Sequence, residues 1–223
     1  MQVPSQPEAR MARVVAFLLA AYGAAAIAQQ GAIALPDLSP TRDATIVDVP
    51  QPKPGDWQSF QGKVGTVDCA RWEVTDVNRE GYLLSACDAY RARLEVASGY
   101  NLHEITTADG QPIARFDPYF PLVQFPLAVG GEWELPYRGH LMVEDLQWEG
   151  RLACRVTEFA PVTVRAGTFD AFRIECYDKR RAPMVETGAN LTAWYAPAVQ
   201  GVVKTVDHED TRWNNELDAF GPR

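Results

Sequence analysis

The sequence predicts an all-β fold, an antiparallel meander forming a twisted half-barrel or partial barrel, preceded by a signal peptide and a Pro-rich strap. Three observations carry this reading. After Trp57 the chain breaks into short segments rich in Val, Thr, Tyr, Phe and Trp, punctuated by turn signals at Glu80-Gly81, Asp109-Gly110, Gly130-Gly131 and Glu149-Gly150. No helical periodicity is sustained beyond the first segment of the chain. The cysteines fall in two groups, Cys69 with Cys87 and Cys154 with Cys176, each flanking a hairpin signal.

Residues 1–28 have the layout of a secretory signal peptide. Arg13 precedes an apolar run from Val14 to Tyr22, and Ala26-Ile27-Ala28 supplies the small residues of a cleavage site, so the mature chain is expected to begin at Gln29. Pro4, Pro7 and Glu8 are unlike the start of such a signal, which makes Met11 an alternative first residue. The apolar run is far shorter than the roughly 20 residues of a spanning helix, so no transmembrane segment is expected after cleavage, and the protein is placed in the periplasm or outside the cell. No cysteine lies near the cut to accept a lipid.

Residues 29–56 form a linker or strap; its stretch "LPDLSPTRDATIVDVPQPKPGD" holds five prolines and no sustained periodicity. Residues 57–223 are expected to form a single β domain. Its strands are placed at Lys63–Val77, Tyr82–Val96, Asn101–Thr107, Pro112–Asp117, Glu132–Met142, Arg151–Val162, Thr168–Lys179, Leu191–Tyr195, Gly201–His208 and Thr211–Leu217. Consecutive strands joined by short turns pair with their neighbours, which yields the meander.

The stretch "VTVRAGTFDAFRIEC", residues 162–176, reads as the far half of a hairpin. Centring that hairpin on Arg165 sets Cys154 against Cys176, Val156 against Ile174 and Arg155 against Glu175, which gives an apolar pair on one face and an opposite-charge pair on the other. Directly opposed Cα atoms in an antiparallel ladder lie about 4.5–5.5 Å apart, within reach of a disulfide. Thr163–Gly167 then forms the loop, and the slip in alternation at Glu158-Phe159 marks a place for a bulge that would shift the turn. Cys69 and Cys87 flank Asn78-Arg79-Glu80-Gly81 as near neighbours, out of exact opposition across that turn. The local pairings Cys69–Cys87 and Cys154–Cys176 are favoured among three connectivities, with a structural role in an oxidising compartment.

Three segments, "FPLAVGGEWE" (125–134), "VTVRAGTFDAFRIEC" (162–176) and "WYAPAVQGVVKTV" (194–206), resemble successive signatures of the DUF3108-like group of exported bacterial β proteins. The resemblance covers Phe125 to Asp207 and departs from the pattern at Gly201, one place later than the glycine of the group. The group has no assigned activity, so the resemblance implies an antiparallel half-barrel and no catalytic residues.

The chemistry in the rest of the chain is sparse. Removing residues 1–28 leaves 19 basic and 28 acidic residues, a formal charge of −9, which argues against nucleic acid as a partner. His103, His140 and His208 stand on separate expected strands without metal-ligand spacing, and "DHED" (207–210) lacks the glycine and spacing of a calcium loop. Ser85 and Ser98 carry no nucleophile-elbow motif, and no cofactor motif occurs. Aromatic residues crowd the second half, and Trp133, Tyr137, Trp194 and Tyr195 are the candidate lining of a trough for a ligand, with ordinary core packing as the competing reading. The function expected is therefore non-enzymatic: a periplasmic or cell-envelope protein whose sheet binds a lipid, a glycan or an envelope protein. The alternatives are a purely structural or assembly role and, last, a hydrolase using His103 or His140.

Overall fold

The computed structural model describes residues 49, 51–62, 69, 71–77, 82–211 and 214–221; the expected signal peptide, most of the strap and residues 63–68 of the first expected strand lie outside them. Among the described residues twelve strands follow one another. They are β1 (Trp57–Gly62), β2 (Arg71–Val77), β3 (Tyr82–Cys87), β4 (Tyr90–Glu95), β5 (Asn101–Thr107), β6 (Pro112–Asp117), β7 (Glu132–Leu141), β8 (Leu146–Val164), β9 (Gly167–Ala182), β10 (Val185–Ala196), β11 (Gly201–Asp207) and β12 (Asn215–Gly221). Each pairs antiparallel with its neighbours in sequence, and the sheet closes into a barrel.

Closure corrects the half-barrel or partial barrel expected from the sequence. Its cause is β1, a strand that the sequence reading does not place. Trp57, Gln58 and Ser59 pair with Glu73, Trp72 and Arg71 of β2, while Trp57 to Gly62 pair with Gly221 to Asn215 of β12. Both edges of the meander thereby find partners for N–H and C=O groups that an open sheet would leave exposed. The end of the strap joins the same corner, because Gly55 N–H donates to Val74 O at 2.8 Å and Val74 N–H to Asp56 O at 2.8 Å.

Two local readings also change. The expected strand Tyr82–Val96 folds back on itself, with Cys87 opposite Tyr90, and becomes β3 and β4. Glu149-Gly150 is no turn but lies within β8, the longest strand, because Gly150 there accommodates an aromatic ring from β7.

The β8–β9 hairpin runs in the register Cys154↔Cys176, Arg155↔Glu175 and Val156↔Ile174. A bulge between Val156 and Glu158 then advances the register by one, so the chain turns at Arg165-Ala166, between Val164 and Gly167, instead of through five residues. The Cα atoms of Cys154 and Cys176 are 4.1 Å apart and the two are bridged; Cys69, just before β2, is bridged to Cys87 at the end of β3 with Cα atoms 6.3 Å apart. Two bridges fit an oxidising compartment outside the cytoplasm.

The main core gathers Leu152, Val156, Phe172, Ile174, Leu191 and Ala193 around the Cys154–Cys176 bridge. The irregular segment 118–131 between β6 and β7 enters this core, with Pro121 and Leu127 fully buried. Polar contacts fix it there. Phe120 N–H donates to Leu102 O (2.8 Å), and the Asn101 side chain both donates to Val123 O (2.6 Å) and accepts from Val123 N–H (3.0 Å). A second cluster surrounds Cys69 and Cys87. A third forms where the β8–β9 tip reaches β12, with Ala166 N–H on Leu217 O at 3.1 Å and Arg165 on Asp218 at 3.1 Å.

Replacing Cys154 and Cys176 together by alanine opens a loop spanning 22 residues in sequence. The chain-entropy model assigns such a loop roughly 3 kcal/mol, which lowers the melting temperature by about 6–12 °C for a domain of this size. Calorimetry of the double variant under non-reducing conditions checks this; an unchanged transition would show that the bridge contributes nothing.

Candidate functional site

The polar centre of the core is built by three strands. On β7 Tyr137 stands opposite Gly150 of β8, and Gly139 stands opposite Trp148. A Cβ at Gly150 would come within 2.2 Å of the Tyr137 ring, and one at Gly139 within 2.1 Å of the Trp148 ring, so each glycine makes room for the ring lying across it. From β9 Asp178, fully buried, reaches the same point.

The Tyr137 hydroxyl donates to the Asp178 carboxylate, 2.9 Å from each oxygen, and accepts from Trp148 Nε1–H at 3.2 Å. Arg180 Nε–H donates to Asp178 Oδ2 at 2.6 Å. Phe120 meets the Tyr137 ring edge-on with centroids 5.3 Å apart, and Phe116 lies 6.1 Å away. Burial pushes the Tyr137 phenol far above its usual range, and the neighbouring Asp178 charge adds to the shift. Burial also raises Asp178, against the pull of the Arg180 guanidinium. Burial works against the charge of Arg180, but the Asp178 carboxylate outweighs it and holds Arg180 protonated. Chemically the cluster is closed on itself, since the hydroxyl's single proton and the carboxylate are directed at each other.

The sequence-derived residues are dispersed by comparison. Trp133, Tyr137 and Tyr195 all come to the main core. Trp133 Nε1–H donates to Pro121 O at 2.9 Å, and the Tyr195 ring, 3% exposed, meets Phe125 edge-on at 5.3 Å. Trp194 packs instead against the third cluster, with Arg173 and Lys204 over its ring at 6.0 and 5.5 Å. Asp178 and Arg180 were the members that sequence reasoning missed; the signal available was the run "YDKRR" (177–181), in which a carboxylate alternates with a guanidinium on one strand face.

The three histidines stay apart. His103 Nδ1 lies 2.7 Å from Pro118 O, His140 Nε2 lies 3.2 Å from Asp145 on an exposed turn, and His208 Nε2 lies 2.9 Å from Thr192 Oγ1. In "DHED" Asp207 accepts from the N–H groups of Glu209 and Asp210, while Glu209 holds Asn190, so the stretch is a capped turn. Among the described residues no group of three or more His, Cys, Asp or Glu is placed to hold a metal ion.

The outer wall from β6 to β10 carries paired charges. Glu132–Arg155 (3.4 Å), Glu134–Arg151 (3.0 Å), Glu175–Arg173 (2.7 Å) and Glu186–Lys179 (2.8 Å) are among them. A barrel wall facing lipid is an apolar band, so this stretch of wall faces water. Among the described residues no helix is long and apolar enough to cross a membrane.

No family model matches the chain, and no curated protein matches it. The DUF3108-like resemblance therefore rests on its three segments alone. Among solved structures the chain is similar to a candidate lipoprotein from Parabacteroides distasonis ATCC 8503, at 12% identity and a TM-score of 0.42, covering 76% of this chain and 96% of that one. It is also similar to a candidate exported protein with a YmcC-like fold from Bacteroides fragilis NCTC 9343, at 12% identity and a TM-score of 0.45, covering 80% of this chain and 100% of that one.

Tyr137→Phe leaves Asp178 one donor short and should cost about 1.5–3 kcal/mol at neutral pH. The folded phenol ionises above its unfolded value near 10, so its contribution is intact below about pH 10 and is lost as the pH rises toward the folded value. Urea unfolding between pH 8 and 11 should therefore show a steeper alkaline loss in the parent than in the variant. Parallel losses would contradict the assignment.

Proposed function

We propose that this is a non-enzymatic exported protein of the cell envelope whose barrel is a scaffold and whose contacts are made by its outer wall. The observation that carries the reading is what fills the interior. Segment 118–131 and the rings of Trp133, Tyr137 and Tyr195 occupy the core where a trough ligand would lie. The buried ionisable groups support a role without catalysis, because Tyr137, Asp178 and Arg180 are engaged with one another. A general acid or base needs instead a group directed at a substrate atom. Export is supported by the signal-like residues 1–28 and by the two bridged cysteine pairs.

Native mass spectrometry of the protein purified from its own envelope tests the reading. The expected spectrum holds the bare mature chain beginning at Gln29. A lipid or other apolar molecule retained in stoichiometric amount would show that the interior accepts a ligand and would overturn the proposal.

A further inference from the structure

Among the described residues one aromatic ring, that of Tyr177, is exposed on the outer wall. Tyr177 of β9 shares a cross-strand row with Glu134 of β7, Ala153 of β8 and Asn190 of β10. Its ring lies across β10 at Gly188, where a Cβ would come within 2.2 Å of the Tyr177 hydroxyl and 2.6 Å of Cζ. With one side against that backbone, Tyr177 is still 48% exposed. The ring thus rests on the sheet and presents its other side to water.

A shallow groove runs beside it, lined by Glu134, Ala153, Arg155, Glu175, Tyr177 and Asn190. Ala153 is the low point between long side chains. The row spans three interstrand spacings, about 14 Å in all. Its carboxylates are matched: Glu132 pairs with Arg155, Glu134 with Arg151 and Glu175 with Arg173, so three negative groups meet three positive ones. The Asn190 side-chain amide donates to Glu209 Oε1 at 2.7 Å, and the Asn190 backbone N–H donates to Glu209 Oε2 at 2.6 Å.

This combination selects an occupant by charge and shape. A strongly charged polymer finds no net opposite charge, and an apolar tail finds one ring among ionised groups. A neutral sugar has a flat C–H face for an aromatic ring and hydroxyls for planar carboxylate, amide and guanidinium groups already fixed by pairing. We propose that the groove over β7–β10 binds a neutral saccharide chain, with Tyr177 as its stacking platform. This rests on the reading that the protein works through its outer wall, and it names the class of partner.

The test titrates the full mature chain with chitotetraose, cellohexaose, maltohexaose and dextran, followed by amide NMR shifts and calorimetry. At least one should bind saturably and shift residues around Ala153, Tyr177 and Asn190. Tyr177→Ala should weaken that binding about tenfold or more, which is about 1.4 kcal/mol or more, while Tyr177→Phe keeps it. Gly188→Ala, which lifts the ring without removing it, should weaken binding as well. Unchanged melting temperatures confirm that the variants fold.

Absence of binding by all four probes overturns the proposal, as does equal binding by Tyr177→Ala. It is equally overturned if Tyr177→Ala loses only stability, since the ring then merely shields Gly188, or if phosphatidylcholine vesicles or heparin bind in place of neutral sugars. Each of these results leaves the outer-wall reading standing if the envelope-purified protein is bare, so the two failures are told apart.

Discussion

A closed barrel of twelve strands encloses more space than a single inward layer of side chains readily fills, whereas eight strands are about the number that side chains alone pack. Filling that space is the constraint on which the rest of this molecule depends. Three devices meet it. Large rings lie flat across neighbouring strands at Gly139 and Gly150, the 118–131 segment inserts Pro121, Val123 and Leu127, and the long β8–β9 hairpin curls its tip onto β12. Each device has a polar fastening. Asn101 and Trp133 hold the inserted segment by its backbone, so its carbonyls are not left bare in the core.

The same constraint explains the buried charge. Rings that lie across glycines bring their polar tips inward, and the Tyr137 hydroxyl and Trp148 indole N–H need an acceptor at that depth. Asp178 supplies it for the hydroxyl, which in turn accepts from the indole, and Arg180 balances the carboxylate while keeping its own side chain 38% exposed toward water. The arrangement is costly to bury and costly to break, because removal of any one member strands the others. Glu104 repeats the solution on a smaller scale, 7% exposed between Arg93 at 3.3 Å and Arg115 at 2.7 Å.

Much of the sheet was legible because period-two alternation is a local property. Pro112–Asp117, Asn101–Thr107 and the Cys154/Cys176 register could be read from residues within one or two turns of chain. Closure could not, because the β12 partners of β1 lie more than 150 residues away and its own text, "WQSFQG", follows directly on the strap. Glycine was ambiguous for a physical reason. Gly150 read as a turn because glycine is frequent there, yet here it serves close approach by Tyr137, and only the cross-strand partner tells these uses apart. The aromatic residues pose the same difficulty: the sequence reading takes Tyr195 as a lining residue and passes over Tyr177, but strand facing buries the first and exposes the second.

Strand facing then divides the molecule chemically. Alternate positions of β7 to β10 send apolar and aromatic residues inward and send Glu, Arg and Lys outward, where the charges pair across strands. Exposed pairs of this kind contribute little stability each, about 0–1 kcal/mol, so holding the fold together is a weak explanation for them. Their stronger physical effect is to fix a water-facing wall of planar polar groups whose charges largely cancel. Where Ala153 and Gly188 lower that wall, the ring of Tyr177 lies open beside it. For the proposed saccharide site, selectivity would reside in that local dip, where an uncharged partner with a flat apolar face loses least water and gains the most contact.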